Sequence, residues 1–120
     1  MLHDGKARRV AVLGGSRIPF CRAHTAYRHE SNQDMMTAAL QGVVRKFDLR
    51  GQSIGDVALG AVIKHSKDFN LARESLIDSG LSLKTPGIDL QRACGTSLEA
   101  AVLIGNKIAL GQVDSGIAGG

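Results

Sequence analysis

The chain has 120 residues, 43% of them hydrophobic and 22% charged, with a formal net charge of +4, which is enough for one buried core and the balance of an ordinary globular protein. No apolar run approaches the ~18 residues that a bilayer-spanning helix needs, and the opening Met1-Leu2-His3-Asp4-Gly5-Lys6-Ala7-Arg8-Arg9 lacks the apolar stretch of a secretory signal. The two cysteines, at positions 21 and 94, show neither a disulfide-dense nor a zinc-binding spacing, so a reducing, cytoplasmic setting without a metal is expected.

Val10-Ala11-Val12-Leu13-Gly14-Gly15 is a continuous apolar run closed by two glycines, and it predicts a first strand buried on both faces. Gly14-Gly15-Ser16 is no phosphate fingerprint, because neither a Gly-x-Gly-x-x-Gly nor a Lys-Ser/Thr ending follows. The loop from Ser16 to Glu30 carries Arg17, Arg22, His24, Arg28 and His29. Arg17, ahead of Ile18-Pro19, is expected to order its turn through backbone and carboxylate contacts. The other cations are expected in solvent, with contact to a nucleotide phosphate as the sharper alternative. Residues 1–50 hold nine Lys and Arg against four acids, and residues 51–120 six against seven, a bias that can draw phosphates. Phe20, Tyr27, Phe47 and Phe69 are the only aromatic residues, too few for a base-stacking platform, so nucleic acid is not an expected partner.

Ser31 with Asp34 three residues on is a helix start of the capping-box type. Met36, Leu40, Val43 and Phe47 mark one face of that helix, and Gly51 is expected to end it. Met35-Met36 reads as core. Asp56 to Ile63, with Val57-Ala58-Leu59-Gly60-Ala61-Val62-Ile63, reads as a second buried strand. His65 follows in a loop, where a histidine is more often solvated than part of a site. Asn70 can cap a short helix that Gly80 ends in left-handed geometry. Pro86 to Leu90 is a third strand.

Gln91-Arg92-Ala93-Cys94-Gly95-Thr96-Ser97 then leads into a helical pattern ending near Gly111. Leu98, Ala101, Val102, Gly105, Ile108 and Ala109 form one face at a 3.6-residue period. Ala100, Leu103, Ile104 and Leu110 make most of the opposite face apolar too, which describes a helix buried between two layers. Cys94 thus falls at a strand-to-helix junction, where unpaired N–H groups and the helix macrodipole favour a thiolate. The bland alternative is a core cysteine, since cysteine is among the most buried residue types. A last strand at Ser115-Gly116-Ile117-Ala118 completes a βαβαβαβ order, and such alternation implies an α/β fold with parallel strands and right-handed crossovers. Groups active in such folds stand at the carboxyl ends of strands, as Cys94 does.

Four stretches, in order, resemble the thiolase family: Val10 to Phe20 with its Arg17-Ile18-Pro19-Phe20 turn, Asn70-Leu71-Ala72-Arg73-Glu74, the Cys94-Gly95 nucleophile motif, and Ser115 to Gly120. The resemblance implies a thiolase-like mixed sheet, with the third strand at its edge, and an incomplete half-domain, with residues 1–120 forming the N-terminal part of a thiolase N-terminal domain whose remainder, with the C-terminal domain, would follow. It implies acyl transfer in which the Cys94 thiolate attacks the keto carbon of a 3-ketoacyl-CoA, coenzyme A being a substrate rather than a bound cofactor. It also implies a second cysteine and two histidines from later segments. Cys21 matches no such motif, and these 120 residues alone are expected to be inactive.

Where Cys-Gly-Ser-Gly is usual in the family, this chain has Cys94-Gly95-Thr96-Ser97, so Ser97 adds a side chain beside the nucleophile. The branch it looks most like works with a hydroxyacyl-CoA dehydrogenase in fatty-acid oxidation, as a homodimer or tetramer. A ketoacyl-synthase-type condensing enzyme and a non-catalytic thiolase-like binding module are the rival expectations.

Overall fold

In the computed structural model of the protein, residues 5–120 are described, so Met1–Asp4 of the N-terminal stretch lie outside it. The elements run α1 (Asn32–Lys46), β1 (Asp56–Leu59), α2 (Leu71–Ser79), β2 (Gly87–Asp89), α3 (Thr96–Ala109) and β3 (Gly116–Ala118).

Each helix boundary has a local cause. At the start of α1 the Ser31 N–H donates to the Asp34 carboxylate at 2.8 Å and the Asp34 N–H to Ser31 Oγ at 3.1 Å, so both ends of the capping box are made. The helix stops at Lys46, short of Gly51. Asp48 enters the left-handed region at φ 53°, a conformation aspartate tolerates, and the Leu49 N–H closes on the Val44 carbonyl at 2.9 Å. At α2 the Asn70 side chain accepts the Arg73 N–H at 2.9 Å. Gly80, at φ 93°, ends that helix.

The sheet has the order β2-β1-β3 with both pairings parallel. All four residues of β1 are buried, and their side chains alternate between two cores. Val57 and Leu59 join Leu40, Val44, Ala72 and Leu76 beneath α1 and α2, while Ala58 meets Ala100 and Ile104 of α3. The result is three layers: α1 with α2, the sheet, and α3. Each fully buried leucine here, such as Leu59 or Leu76, stabilises the fold by about 2 kcal/mol relative to exposure.

Several expectations are corrected. The run Val10–Gly15 forms no strand, and Val12 and Leu13 are 94% and 81% exposed. A doubly buried strand needs a ladder partner and a layer on each face, and this run joins neither outer edge of the β2-β1-β3 sheet. The run leans instead on the end of α1, where Lys46 Nζ donates to the Gly15 carbonyl at 3.2 Å. The order among the described residues is therefore αβαβαβ, within the expected α/β class, and both strand pairings are parallel. The second predicted strand ends at Leu59 instead of Ile63. After Gly60 the chain departs from the sheet and leaves Val62 and Ile63 exposed.

On α3 the sheet-facing residues are Thr96, Ala100 and Ile104, whereas Leu98 and Val102 of the expected face point outward at 71% and 49% exposure. Both faces are apolar, so periodicity alone does not choose between them, and the sheet covers only one. Arg17 stacks over the Phe20 ring at 4.0 Å in place of the expected carboxylate contact, because the turn sets the two side chains together. β2 does stand at a sheet edge. Among the described residues no helix is long and apolar enough to cross a membrane.

Candidate active site

The carboxyl ends of the strands converge on the head of α3. Leu90 makes the last bond of the β1–β2 ladder, its N–H donating to the Leu59 carbonyl at 3.0 Å. Residues 91–95 then turn sharply into the helix. Ala93 adopts φ 41°, a left-handed conformation that costs a residue with a Cβ on the order of 1 kcal/mol. The Gly95 N–H donates to the Arg92 carbonyl at 2.8 Å, and the Thr96 N–H to the Ala93 carbonyl at 3.3 Å. Thr96 Oγ1 accepts the Arg92 N–H at 2.9 Å and donates to the Ala93 carbonyl at 2.8 Å. Arg92 Nε also pairs with Glu99 Oε2 at 3.1 Å across the outside of the turn. Held this way, Cys94 is exposed and not part of the core, one residue ahead of the N-cap Gly95.

Gly95 offers no side-chain cap. Among the described residues the N–H groups of Ser97 and Leu98 make no hydrogen bond. An uncapped helix head presents partial positive charge, here beside an exposed sulfur. That combination places backbone donors where they suit an oxyanion forming next to the sulfur.

Close packing fixes the rest of the site. A Cβ on Gly60 would lie 1.8 Å from the Leu90 carbonyl oxygen and 2.7 Å from Thr96 Cγ2, so the end of β1 reaches the turn only as glycine. Gln91 Nε2 donates to the Val62 carbonyl at 2.9 Å, and Lys64 pairs with Asp89, which ties the loop after β1 to the end of β2. A cavity of about 610 Å³ opens between α1 and the loop after the N-terminal run; Phe20, Cys21, Met35, Gly60, Ser97 and Gly120 are among its walls. It reaches the head of α3 at Ser97.

Cys21 occupies this cavity wall rather than the turn. Its Sγ lies 3.0 Å from Thr25 Oγ1, and that hydrogen bond holds its thiol below the usual value. His65 lines a separate, polar cavity of about 460 Å³ with Arg28, His29 and Lys67; no residue of the Cys94 turn belongs to it. The sequence reading missed Ala93, Thr96 and Asp89. Thr96 alone left a signal, since threonine hydroxyls commonly bond a backbone carbonyl a turn away.

Comparison with known proteins gives a consistent result. A family model described as the thiolase N-terminal domain matches residues 10–120. A 3-ketoacyl-CoA thiolase of Vibrio cholerae is 34% identical over 112 residues, covering 93% of this chain and 26% of that protein. One of Photobacterium profundum is 33% identical over 115 residues, covering 96% and 26%. The crystal structure of the Bacillus anthracis acetyl-CoA acetyltransferase matches with a TM-score of 0.71, covering 78% of this chain and 24% of that one. At 22% identity the likeness to that structure is one of fold. The chain spans about a quarter of the length of the curated relatives it matches.

Proposed function

The chain belongs to the thiolase family, and from that membership we propose that the intact protein is an acyltransferase that cleaves 3-ketoacyl-CoA with coenzyme A, or runs the reverse Claisen condensation, through an acyl thioester on Cys94. The observation that carries this reading is an exposed Cys94 beside the uncapped head of α3. In the forward direction the Cys94 thiolate adds to the keto carbon, and the bond between that carbon and the next breaks. The acyl group stays on sulfur, and the departing acetyl-CoA carbanion takes a proton. The thiol of a second coenzyme A, giving up its proton, then attacks the thioester and releases Cys94 as thiolate. The Cys94 N–H suits stabilisation of the oxyanion formed in the addition step.

Relatives named 3-ketoacyl-CoA thiolase support a role in fatty-acid oxidation, with acyl-CoA and coenzyme A as the molecules bound and a cytoplasmic setting that keeps the thiol reduced. The free edge of β2 and the outward apolar residues Leu98 and Val102 of α3 favour homo-oligomerisation or a dehydrogenase subunit as partner. The described residues cover only one side of α3, so the 120 residues alone are expected to show no thiolytic turnover.

The test is covalent trapping. On incubation of the intact protein with acetoacetyl-CoA, the peptide containing Cys94 should gain one acetyl group, and Cys94→Ser should lose thiolysis by roughly 10³-fold or more. Parental turnover in Cys94→Ser, or an adduct on Cys21 alone, would refute the assignment.

A further inference from the structure

We propose that Thr96 is the positioning residue for Cys94: its hydroxyl holds the left-handed turn that presents the sulfur, and its methyl fixes that hydroxyl in place. The proposal rests on the reading of Cys94 as nucleophile. A hydroxyl can accept and donate at once, and here it does both within one turn. It takes the Arg92 N–H at 2.9 Å and gives its proton to the Ala93 carbonyl at 2.8 Å. Those two groups bracket Ala93, whose φ of 41° is unfavourable for an L-residue with a side chain. Thr96 is 2% exposed, which leaves little access for a water to replace the hydroxyl if it were removed.

The methyl has a separate task. A Cβ on either Gly60 or Gly120 would lie 2.7 Å from Thr96 Cγ2, so the methyl fills the notch between the end of β1 and the chain after β3. A β-branched side chain has few χ1 choices to begin with, and the close packing of this notch narrows them further. The direction of the hydroxyl is therefore set by the sheet. Through Thr96 the carboxyl ends of β1 and β3 determine where the turn carries Cys94.

Alkylation by iodoacetamide tests the inference in the intact protein. The Cys94 thiolate displaces iodide, and mass spectrometry resolves its rate from that of exposed Cys21 as internal reference. Thr96→Val keeps the shape without the hydroxyl and should slow Cys94 relative to Cys21 by about tenfold, as the loss of two buried hydrogen bonds would suggest. Thr96→Ser keeps the hydroxyl but loses the methyl that orients it, so it should fall between the parent and the Val variant, about threefold slower than the parent. In thiolysis the Val variant should lower kcat and leave KM nearly unchanged.

Parental alkylation in Thr96→Val, or a Ser variant as slow as the Val one, overturns the proposal. If Thr96→Val does not fold, the same loss is read in an Ala93→Gly background. There the left-handed turn needs no support, and removal of the hydroxyl should cost less than about threefold. A full tenfold cost with glycine at 93 also overturns it. A parent whose Cys94 is never acylated by acetoacetyl-CoA defeats the thiolase reading separately and leaves the alkylation comparison standing.

Discussion

The heads of α2 and α3 both follow a strand of the same sheet, yet they are finished in opposite ways. At α2 the Leu71 and Ala72 N–H groups donate to the Asp89 carboxylate at 3.1 and 2.9 Å, and the Arg73 N–H to Asn70 Oδ1 at 2.9 Å. At α3 there is no side-chain cap. Burial explains the difference: Leu71 and Ala72 are fully buried, whereas Ser97 and Leu98 are exposed. A buried helix head must have its donors satisfied within the protein, while an exposed one can leave them to solvent or ligand. At the α2 head a fixed carboxylate accepts the first N–H groups, whereas the first-turn acid of α3, Glu99, pairs with Arg92 and caps none of them. One end serves the fold, and the other is free for chemistry.

The largest effect expected from disturbing this contrast comes from the wall of the open head. Gly60→Ala would drive a methyl into the Leu90 carbonyl and the Thr96 side chain, and the backbone has to shift to admit it. A loss of about 3 kcal/mol is expected, seen as a lower Tm of the intact protein. An alanine variant with parental Tm would show that β1 does not seat the turn. Next comes opening the closed head with Asp89→Ala. Its carboxylate side chain is 13% exposed and pairs with Lys64, so its removal strands two N–H donors in a buried setting. A destabilisation of about 2 kcal/mol in urea titration is expected. No change would mean that Asn70 alone suffices for α2.

Legibility in the sequence followed range. Contacts three or four residues long were readable: the Ser31 and Asp34 box, the Asn70 cap and the Gly80 stop, and a Cys94 placed at the mouth of a helix. So was the α/β class, since strand-like runs alternate with helical periods along the chain, and Val57, Ala58 and Leu59 form a strand covered on both faces. What escaped depends on distant partners. Val10–Leu13 have a strand's composition but join no ladder: the sheet ends at β2 and β3, and the run lies against the end of α1 instead. Asp89 caps a helix that begins eighteen residues before it in sequence, and no local pattern announces that. The face of α3 that meets the sheet was undecidable by period, because apolar residues encircle it. Ala93 in the left-handed region was invisible because alanine rarely goes there; the tertiary contacts of Thr96 impose it.

The contrast can also be sharpened by closing the open head. A Cβ on Gly95 meets nothing nearer than 3.4 Å, and its φ of −91° suits any residue, so Gly95→Asp should fit. An N-cap aspartate stabilises a helix by about 1 kcal/mol, while its charge opposes a thiolate at the adjacent Cys94. Stability and alkylation rate should therefore move in opposite directions, the rate falling by about fivefold. A variant that gains both would show that the open head contributes nothing to the sulfur's reactivity.

The smallest expected effect lies at α1, whose head is closed by its own first turn. The Ser31 hydroxyl and N–H hold the Asp34 carboxyl below the ordinary carboxylate range. The folded chain therefore binds fewer protons than the unfolded one in mild acid. That contribution to stability is complete above the unfolded value, roughly pH 4, and is lost as the pH falls through the lower folded value. Asp34→Asn removes the charge and keeps an acceptor, so its urea midpoint should lie slightly below the parent's at pH 6, with the gap closing toward pH 2. Because the carboxylate is exposed, salt should shrink the gap as well. A gap undiminished at low pH would mean that Ser31 and residue 34 close this helix by hydrogen-bond geometry without help from charge, leaving α2 as the one head that a carboxylate's charge helps to finish.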